Sequence, residues 1–367
     1  MISVASPGTR TVAELREEFA TPGGYLDAAT CGLPTRRTTE AMARDAQRWA
    51  RGEISPVTYH EDVTRARALY AALVGIAPER VATGSQTSVF AGMIAASVPD
   101  GAEVVVIGTD FSSLVYPFLV QAQRPHPSGS GGRITVRTVE RADLAGAVTE
   151  RTAAVVFSQC QSACGSLTDL AEVAAAARAV GALTVCDITQ SLGWRPVDAG
   201  LVDITLCSAY KWMCQPRGTA YMTVSEQAME RIVPVAAGWY AGDVVWDSMY
   251  GPEMHLADRA SRFDVSPGWP LWPGAVAALE DLSSVSPEEV RAHDVGLANR
   301  LRTGLGLEAG DSAIVSLALP QAATDAVERA GLAVSQRAGG LRLSFHVWNT
   351  EAEADRAAEV LAPFVRH

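Results

Sequence analysis

ALTVCDITQSLGWRPVD (residues 182–198) and DITLCSAYKWMCQPRG (residues 203–218) are the two stretches whose reading decides the fold. Each begins with a short Val-, Ile- or Leu-bearing run and passes at once into polar residues. Asp187 directly follows the first run, and Ser208, Tyr210 and Lys211 lie just past the second. Short runs that are apolar throughout suit strands covered on both faces. Similar runs stand at 103–107 and 153–157, with a further one at 219–224. Helical patterns alternate with them at 88–97, 114–123 and 168–180. Strands alternating with helices argue for an α/β layer fold with a mainly parallel sheet. In doubly wound sheets ligands collect at the carboxyl ends of the strands, so the loops that follow them are where chemistry is expected.

Working outward, residues 10–19 read as a short helix, and 36–51 and 58–75 as longer amphipathic ones split by Gly52 and Pro56. The stretch 239–275 holds Trp239, Trp246, Trp269 and Trp272, several Gly and Pro, and no clear period. It reads as the crossover into a second domain, lining the pocket or packing at a domain junction or subunit interface. Beyond it come helices near 287–305, 320–330 and 350–363 and a strand at 341–345, with Thr350 and Glu353 at capping-box spacing. The expected organisation is an N-terminal arm (1–20), a large domain (21–240) and a small C-terminal α+β domain (241–367). The SGSGG loop at 128–132 is a small low-complexity segment.

Composition narrows the function classes. The 367 residues are 48% hydrophobic and 19% charged, with a net charge of −11. Such a chain affords a sizeable core and is a poor partner for nucleic-acid phosphates. Cys31, Cys160, Cys164, Cys186, Cys207 and Cys214 are dispersed without zinc spacing, so they are expected to be reduced, structural thiols, and no metal site is expected. The N-terminus lacks the apolar core of a signal peptide, and no apolar run approaches a membrane span. The expectation is a soluble cytoplasmic protein.

Taken singly, the polar residues after the strands are weak signals. An acid after a strand is often a helix cap, a loop lysine is usually solvated, and the Gly-Ser-Gln-Thr segment at 84–87 could be a plain turn. Together with three further segments they carry a resemblance. YLDAATCGLP (25–34), DITQSLGWRPVD (187–198), SAYKWMCQPRG (208–218) and LRLSFHVWNTEAEADR (341–356) occur in the order of the motifs of class V aminotransferases. That group contains cysteine desulfurases, kynureninases, isopenicillin-N epimerases and ergothioneine-type C–S lyases. The resemblance runs from Tyr25 to about Leu361. It implies a fold-type I enzyme dependent on pyridoxal 5′-phosphate, with a mainly parallel seven-stranded sheet sandwiched by helices in its large domain.

The resemblance also implies roles. Lys211 would be the Schiff-base lysine, Asp187 would face the pyridine nitrogen, and Gln190 would hydrogen-bond the ring's phenolic oxygen. Ser208, Tyr210 and the backbone N–H groups of Ser85 and Gln86 would hold the phosphate, the last two at a helix N-terminus. Phe111 would stack on the ring unless it is a core aromatic, and Ser162 stands where the family often has Asn. Arg342 would grip the substrate α-carboxylate through its planar fork, with Ala29 and Cys31 beside the substrate. His60 and His346 read as structural before catalytic, and Arg217 as a loop-stabilising base.

Departures from the family pattern bear on the reaction. AVSQRAGG, the segment before the 341–345 strand, has no thiol, so a persulfide route would need Cys31 or another cysteine to stand in. Ser266-Pro267 replaces the Gly-Thr usual after the motif at Arg262-Phe263-Asp264, which reaches a neighbouring subunit's phosphate in the family. The leading expectation is a C–S β-lyase on a cysteine S-conjugate or related sulfur amino acid, working as a homodimer. An aminotransferase, oxidative deaminase or epimerase shares its first step. A non-catalytic binding protein would have no need of Asp187, Lys211 and Arg342 together.

Overall fold

Seven strands make the central sheet: β1 (Val81–Gly84), β2 (Glu103–Ile107), β3 (Thr135–Val139), β4 (Thr152–Ser158), β5 (Leu183–Asp187), β6 (Ile204–Ser208) and β7 (Ala220–Val224), in the order β1-β7-β6-β5-β4-β2-β3. Only β7 runs antiparallel to its neighbours. The structure is a computed structural model that describes residues 8–365 except Pro22, Pro127 and Ser130; residues 1–7 of the expected arm and Ser130 of the SGSGG loop lie outside the described residues.

Both faces of the sheet are covered, which is why the inner strands read as unbroken apolar runs. Val155, Phe157, Cys186 and Cys207 face the cluster built with α3 (Pro56–Leu73), α6 (Leu170–Val180) and α8 (Trp272–Ser283). Val156, Val185, Ile204 and Leu206 face the opposite way, onto Phe90 and Ile94 of α4 (Thr87–Ser97) and Phe118 of α5 (Ser112–Gln123). Successive side chains thus alternate between two helical layers. The remaining helices of the N-terminal two-thirds are α1 (Val12–Arg16), α2 (Arg36–Ala50) and α7 (Glu226–Arg231).

Two elements departed from expectation for physical reasons. Strand β3, TVRTV, is a sheet-edge strand with Thr135, Arg137 and Thr138 among its five residues and no fully buried side chain, so it carries no apolar run. Helix α8 starts at Trp272, at the end of the stretch that showed no period, and runs on to Ser283. Trp272, Gly274–Leu279 and Asp281–Ser283 are all buried, so the helix has almost no polar face to create one. It packs against α2 and α3.

The small sheet is antiparallel, with β8 (Ile314–Leu317), β10 (Gly340–Ser344) and β9 (Ser335–Arg337) in the order β8-β10-β9. Helices α9 (Pro287–Gly304), α10 (Gln321–Arg329) and α11 (Glu351–Leu361) share a core with it. Thr350 and Glu353 form the expected capping box of α11. No described helix is long and apolar enough to cross a membrane.

The N-terminal strap Tyr25–Leu33 ties these parts together. Leu26 donates to the Ala333 carbonyl, Asp27 bridges to Ser344, and Gly32 donates to the Tyr210 carbonyl at 2.9 Å. At Gly32 a Cβ would stand 1.9 Å from the Lys211 carbonyl oxygen, and at Gly193, with φ +112°, 2.6 Å from the Trp212 carbonyl oxygen. Backbone packs against the lysine loop from two sides, and only glycine fits there.

Gly32→Ala is therefore expected to cost about 1–3 kcal/mol or more, seen as a lowered Tm. Gly92→Ala, in mid-α4 with nothing within 4 Å of the added Cβ, should be neutral or gain up to about 1 kcal/mol. Equal Tm values for the two variants would contradict the clamped loop.

Candidate active site

A cavity of about 320 Å³ opens at the carboxyl ends of β1, β4, β5 and β6. Ser85, Gln86, Phe111, Ser162, Asp187, Gln190, Ser208, Tyr210 and Lys211 all line it, joined by Thr87, Ser88, Ser113, Ser158, Thr189, Arg217 and Gly218. The residues that the sequence assigned to the cofactor converge here. Its volume lies within the usual range for small-molecule sites.

One end is made by the start of α4. Its N-cap, Gln86, makes no side-chain capping bond. Thr87 N–H donates to Ser208 Oγ at 3.0 Å, and the Thr87 and Ser208 hydroxyls meet at 2.9 Å. An uncapped helix start with hydroxyls beside it offers donors and a favourable dipole to an anion.

Asp187 and Lys211 define the interior. Asp187 ends β5, is buried, and accepts from the Thr189 N–H at 2.8 Å. Burial pushes its carboxyl up to about 6, against the lowering pull of Thr189 and Lys211. Lys211 is 5% exposed, and its Nζ lies 5.1 Å from the Phe111 ring centroid and 5.8 Å from that of Tyr210. Burial brings its amine down to about 8, with Asp187 opposing the shift and Arg342 adding to it.

Gln190 is a junction. Its amide donates to the Ala29 carbonyl at 2.9 Å and Ser162 Oγ at 3.0 Å, and its oxygen accepts from Trp212 Nε1 at 2.8 Å. Both amide protons are thus engaged by protein, and reaching a ring oxygen would require the one directed at Ser162 to turn. Arg342, expected at the substrate carboxylate, is 1% exposed and sits behind the cavity wall. Its fork donates to the Ser162 carbonyl at 2.6 Å, Ser162 Oγ at 3.2 Å, Thr30 Oγ1 at 2.7 Å and Asp27 at 3.3 Å. Only Ser162 separates it from the cavity.

Ala29 and Cys31 do not line the cavity. The Ala29 carbonyl anchors Gln190, and its N–H donates to Ser344 Oγ at 2.9 Å. Cys31 is exposed, with its thiol pushed up chiefly by burial and then by Cys214. His346 is fully buried, with Nε2 2.9 Å from the Trp212 carbonyl and Nδ1 2.7 Å from Asp294. It braces the lysine loop from behind. His60 lies in a different cavity, 2.8 Å from the Tyr240 hydroxyl. The tryptophans of 239–272 stay off the cavity. Trp269 stacks on Tyr59 at 5.7 Å, and Trp239 packs on Trp246 at 5.6 Å. Asp264 accepts from the Thr83 N–H at 2.7 Å and pairs with Arg67, fixing the strand that leads to Ser85.

Sequence reasoning missed Thr189, Ser158 and Asp110. Asp110 accepts from the Ser158 N–H at 2.7 Å and from its hydroxyl. These are small polar residues, Ser158 at the end of β4 and the other two in loops, with no pattern to single them out. One signal was available and went unread: Lys211 is the only lysine in the chain, and all the rest of the 30 Lys and Arg residues are arginine.

Comparisons with known proteins agree with this geometry. A kynureninase of Deinococcus radiodurans is 27% identical over 308 residues, covering 78% of this chain and 73% of the relative. A probable hercynylcysteine sulfoxide lyase of Mycobacterium tuberculosis is 30% identical over 205 residues, 48% of each chain. Among solved structures, the cystine C–S lyase C-DES, in complex with its product cysteine persulfide, superimposes with a TM-score of 0.82. It has 19% identity and covers 94% of this chain and 98% of its own. Residues 57–310 match the family model of aminotransferase class-V, so the chain belongs to that family of pyridoxal-phosphate enzymes.

Proposed function

We propose that this protein is a C–S β-lyase acting on a cysteine S-conjugate or related sulfur amino acid. The observation that carries the reading is the sole lysine of the chain, buried in the cavity with its amine brought down to about 8. A guanidinium stays protonated in proteins, whereas a desolvated lysine can act as nucleophile and base. A chain that uses arginine for its other long cations keeps its one amine where only an amine serves.

The residues present fit pyridoxal phosphate. The uncapped start of α4 with Ser208 and Thr87 suits its phosphate, Asp187 its ring nitrogen, Phe111 its ring face and Lys211 its aldehyde. When bound, the group supplies that aldehyde and an electron-withdrawing ring that stabilises charge at the substrate Cα. Asp187 holds the ring-nitrogen proton, since a carboxyl near 6 is largely ionised at neutral pH. Lys211, with its amine free, would take the substrate's Cα proton. The Cβ–S bond then breaks with its electron pair going to sulfur, which leaves as a thiol. The three-carbon remainder takes up water and leaves as pyruvate and ammonia. Ser162, held by Arg342, would face the substrate carboxylate, and Arg342 would reach it by releasing one of its present acceptors, which would select the Cα bond that breaks.

The lyase reading is favoured by the thiols. Cys31, on the strap beside the lysine loop, and Cys214, buried in the loop itself, both have their thiols pushed up chiefly by burial, which disfavours the thiolate a persulfide route needs. The sulfoxide-lyase relative points the same way. We also infer a two-fold homodimer. Val244, Met249, Tyr250 and Met254 expose apolar surface in the Trp-rich segment, with Tyr250 at 89% and Met254 at 73%. Exposed apolar surface clustered in this way marks an interaction face. We place the protein in the cytoplasm.

Three outcomes test these readings. When apoprotein is mixed with pyridoxal phosphate, the yellow chromophore should form about tenfold faster per pH unit below about 8 and level off above it, because the charged ammonium has no free electron pair. A rise continuing toward 10.5, the ordinary lysine value, would contradict the buried amine, and Lys211→Ala should form no chromophore. Holoenzyme given S-substituted cysteines should release pyruvate, ammonia and a thiol, and Cys31→Ala should keep most of that activity. A 2-keto acid with conversion of the cofactor to its amine form would instead identify a transaminase. Light scattering should give twice the 38.7 kDa chain mass, with Tyr250→Ser/Met254→Ser dissociating the pair. A fully active monomer would overturn the dimer.

A further inference from the structure

Two arginines converge on one hydroxyl outside the cavity lining, joined to it through Ser162. Thr30 Oγ1 accepts from Arg342 Nη2 at 2.7 Å and from Arg337 Nη2 at 3.0 Å. Arg342 has Asp27 beside it at 3.3 Å. Arg337 has no carboxylate within ion-pair distance among the described residues, and its other protein contact is the Gln336 carbonyl at 2.7 Å. Two guanidinium groups on one acceptor repel, and the charge of Arg337 is felt at both Arg342 and Lys211. Arg337 is exposed to solvent, so its charge is open to an incoming anion.

Arg337 stands at the exposed end of a hairpin. It ends β9 opposite Gly340 of β10, across the two-residue turn Ala338-Gly339. Both turn residues have positive φ, 48° and 80°, as the twist-matched hairpin turn requires. Both turn residues are exposed. The adjoining strap, Thr30 to Gly32, is itself locked to the lysine loop through Gly32 and Tyr210. Through Thr30, Arg337 touches the same strap that meets the lysine loop.

An amino acid brings one α-carboxylate, for which Arg342 behind Ser162 suffices. We propose that Arg337 binds a second anion, so that the preferred substrates carry a carboxylate or other oxyanion at the far end of the side chain, beyond the sulfur. The guanidinium offers its free N–H groups to that anion and is relieved of the repulsion from Arg342. This rests on reading the cavity as the site of a sulfur amino acid.

The test compares S-carboxymethylcysteine with its neutral isostere S-carbamoylmethylcysteine on the dimeric holoenzyme. Dissociation constants come from spectral titration and kcat/KM from pyruvate release. Wild type should favour the carboxylate at least about tenfold in both, as a charge-assisted hydrogen-bonded contact supplies. Arg337→Gln should bring the ratio near one by weakening the carboxylate alone, and Arg337→Lys should keep part of it. Equal binding of the two conjugates by wild type, or a ratio unchanged in Arg337→Gln, overturns the proposal, and pyruvate release from both would still leave the lyase reading standing. A binding preference lost in Arg337→Gln supports the proposal, even if neither conjugate yields pyruvate and the lyase reading falls.

Discussion

A buried amine and a buried carboxylate share one cavity, and much of the molecule serves to keep them there. Burial alone would neutralise both, and it moves them in that direction, Lys211 down to about 8 and Asp187 up to about 6. Their mutual attraction and the Thr189 N–H oppose it. Charged groups out of water are costly and need fixed partners. The sheet brings the two residues to one edge, because β5 and β6 are neighbouring parallel strands that end side by side. The lysine loop is then fixed from every side. Gly32 and Gly193 admit backbone against it, His346 meets the Trp212 carbonyl, and the Trp212 indole reaches Gln190.

The bracing extends well beyond the cavity. His346 sits between the Trp212 carbonyl and Asp294, and Asp294 also meets His293 at 2.8 Å, which in turn contacts Arg16 at 2.8 Å. Helix α9, the segment after β10 and the N-terminal helix are thus joined to the residue next to Lys211 by a chain of polar contacts. Fully partnered buried networks of this kind hold geometry tightly, and a missing member leaves the others unpaired. On the cavity side, Gln190, Ser162 and Arg342 form the matching front brace.

Much of this was legible in the sequence where local chemistry and global fold coincide. Asp187 and Lys211 stand at or just past strand ends, where the strands alone direct attention, whereas Gln190, Ser208 and Tyr210 were singled out by the resemblance to class V aminotransferases. The apolar runs of β2, β4, β5 and β6 were readable because both faces are covered. Helix α8 was hidden for the same reason, since complete burial erases its period. Strands β8 and β9 are short, and β3 is polar at an exposed edge. The position of Arg342 could not be read, because its partners Asp27, Thr30 and Ser162 are distant in sequence and meet only in the fold. Ala29 acts through its backbone, to which side-chain patterns are blind.

Having one lysine makes the central claim open to a direct chemical test. Borohydride reduction of the yellow holoenzyme fixes the cofactor to whichever amine carries it, and peptide mass mapping then locates it. The only alternative amine is that at the chain's N-terminus. A single phosphopyridoxyl group on the peptide containing Lys211 is the predicted result. A label on the N-terminal amine, or no label on a protein that retains activity, would contradict the account.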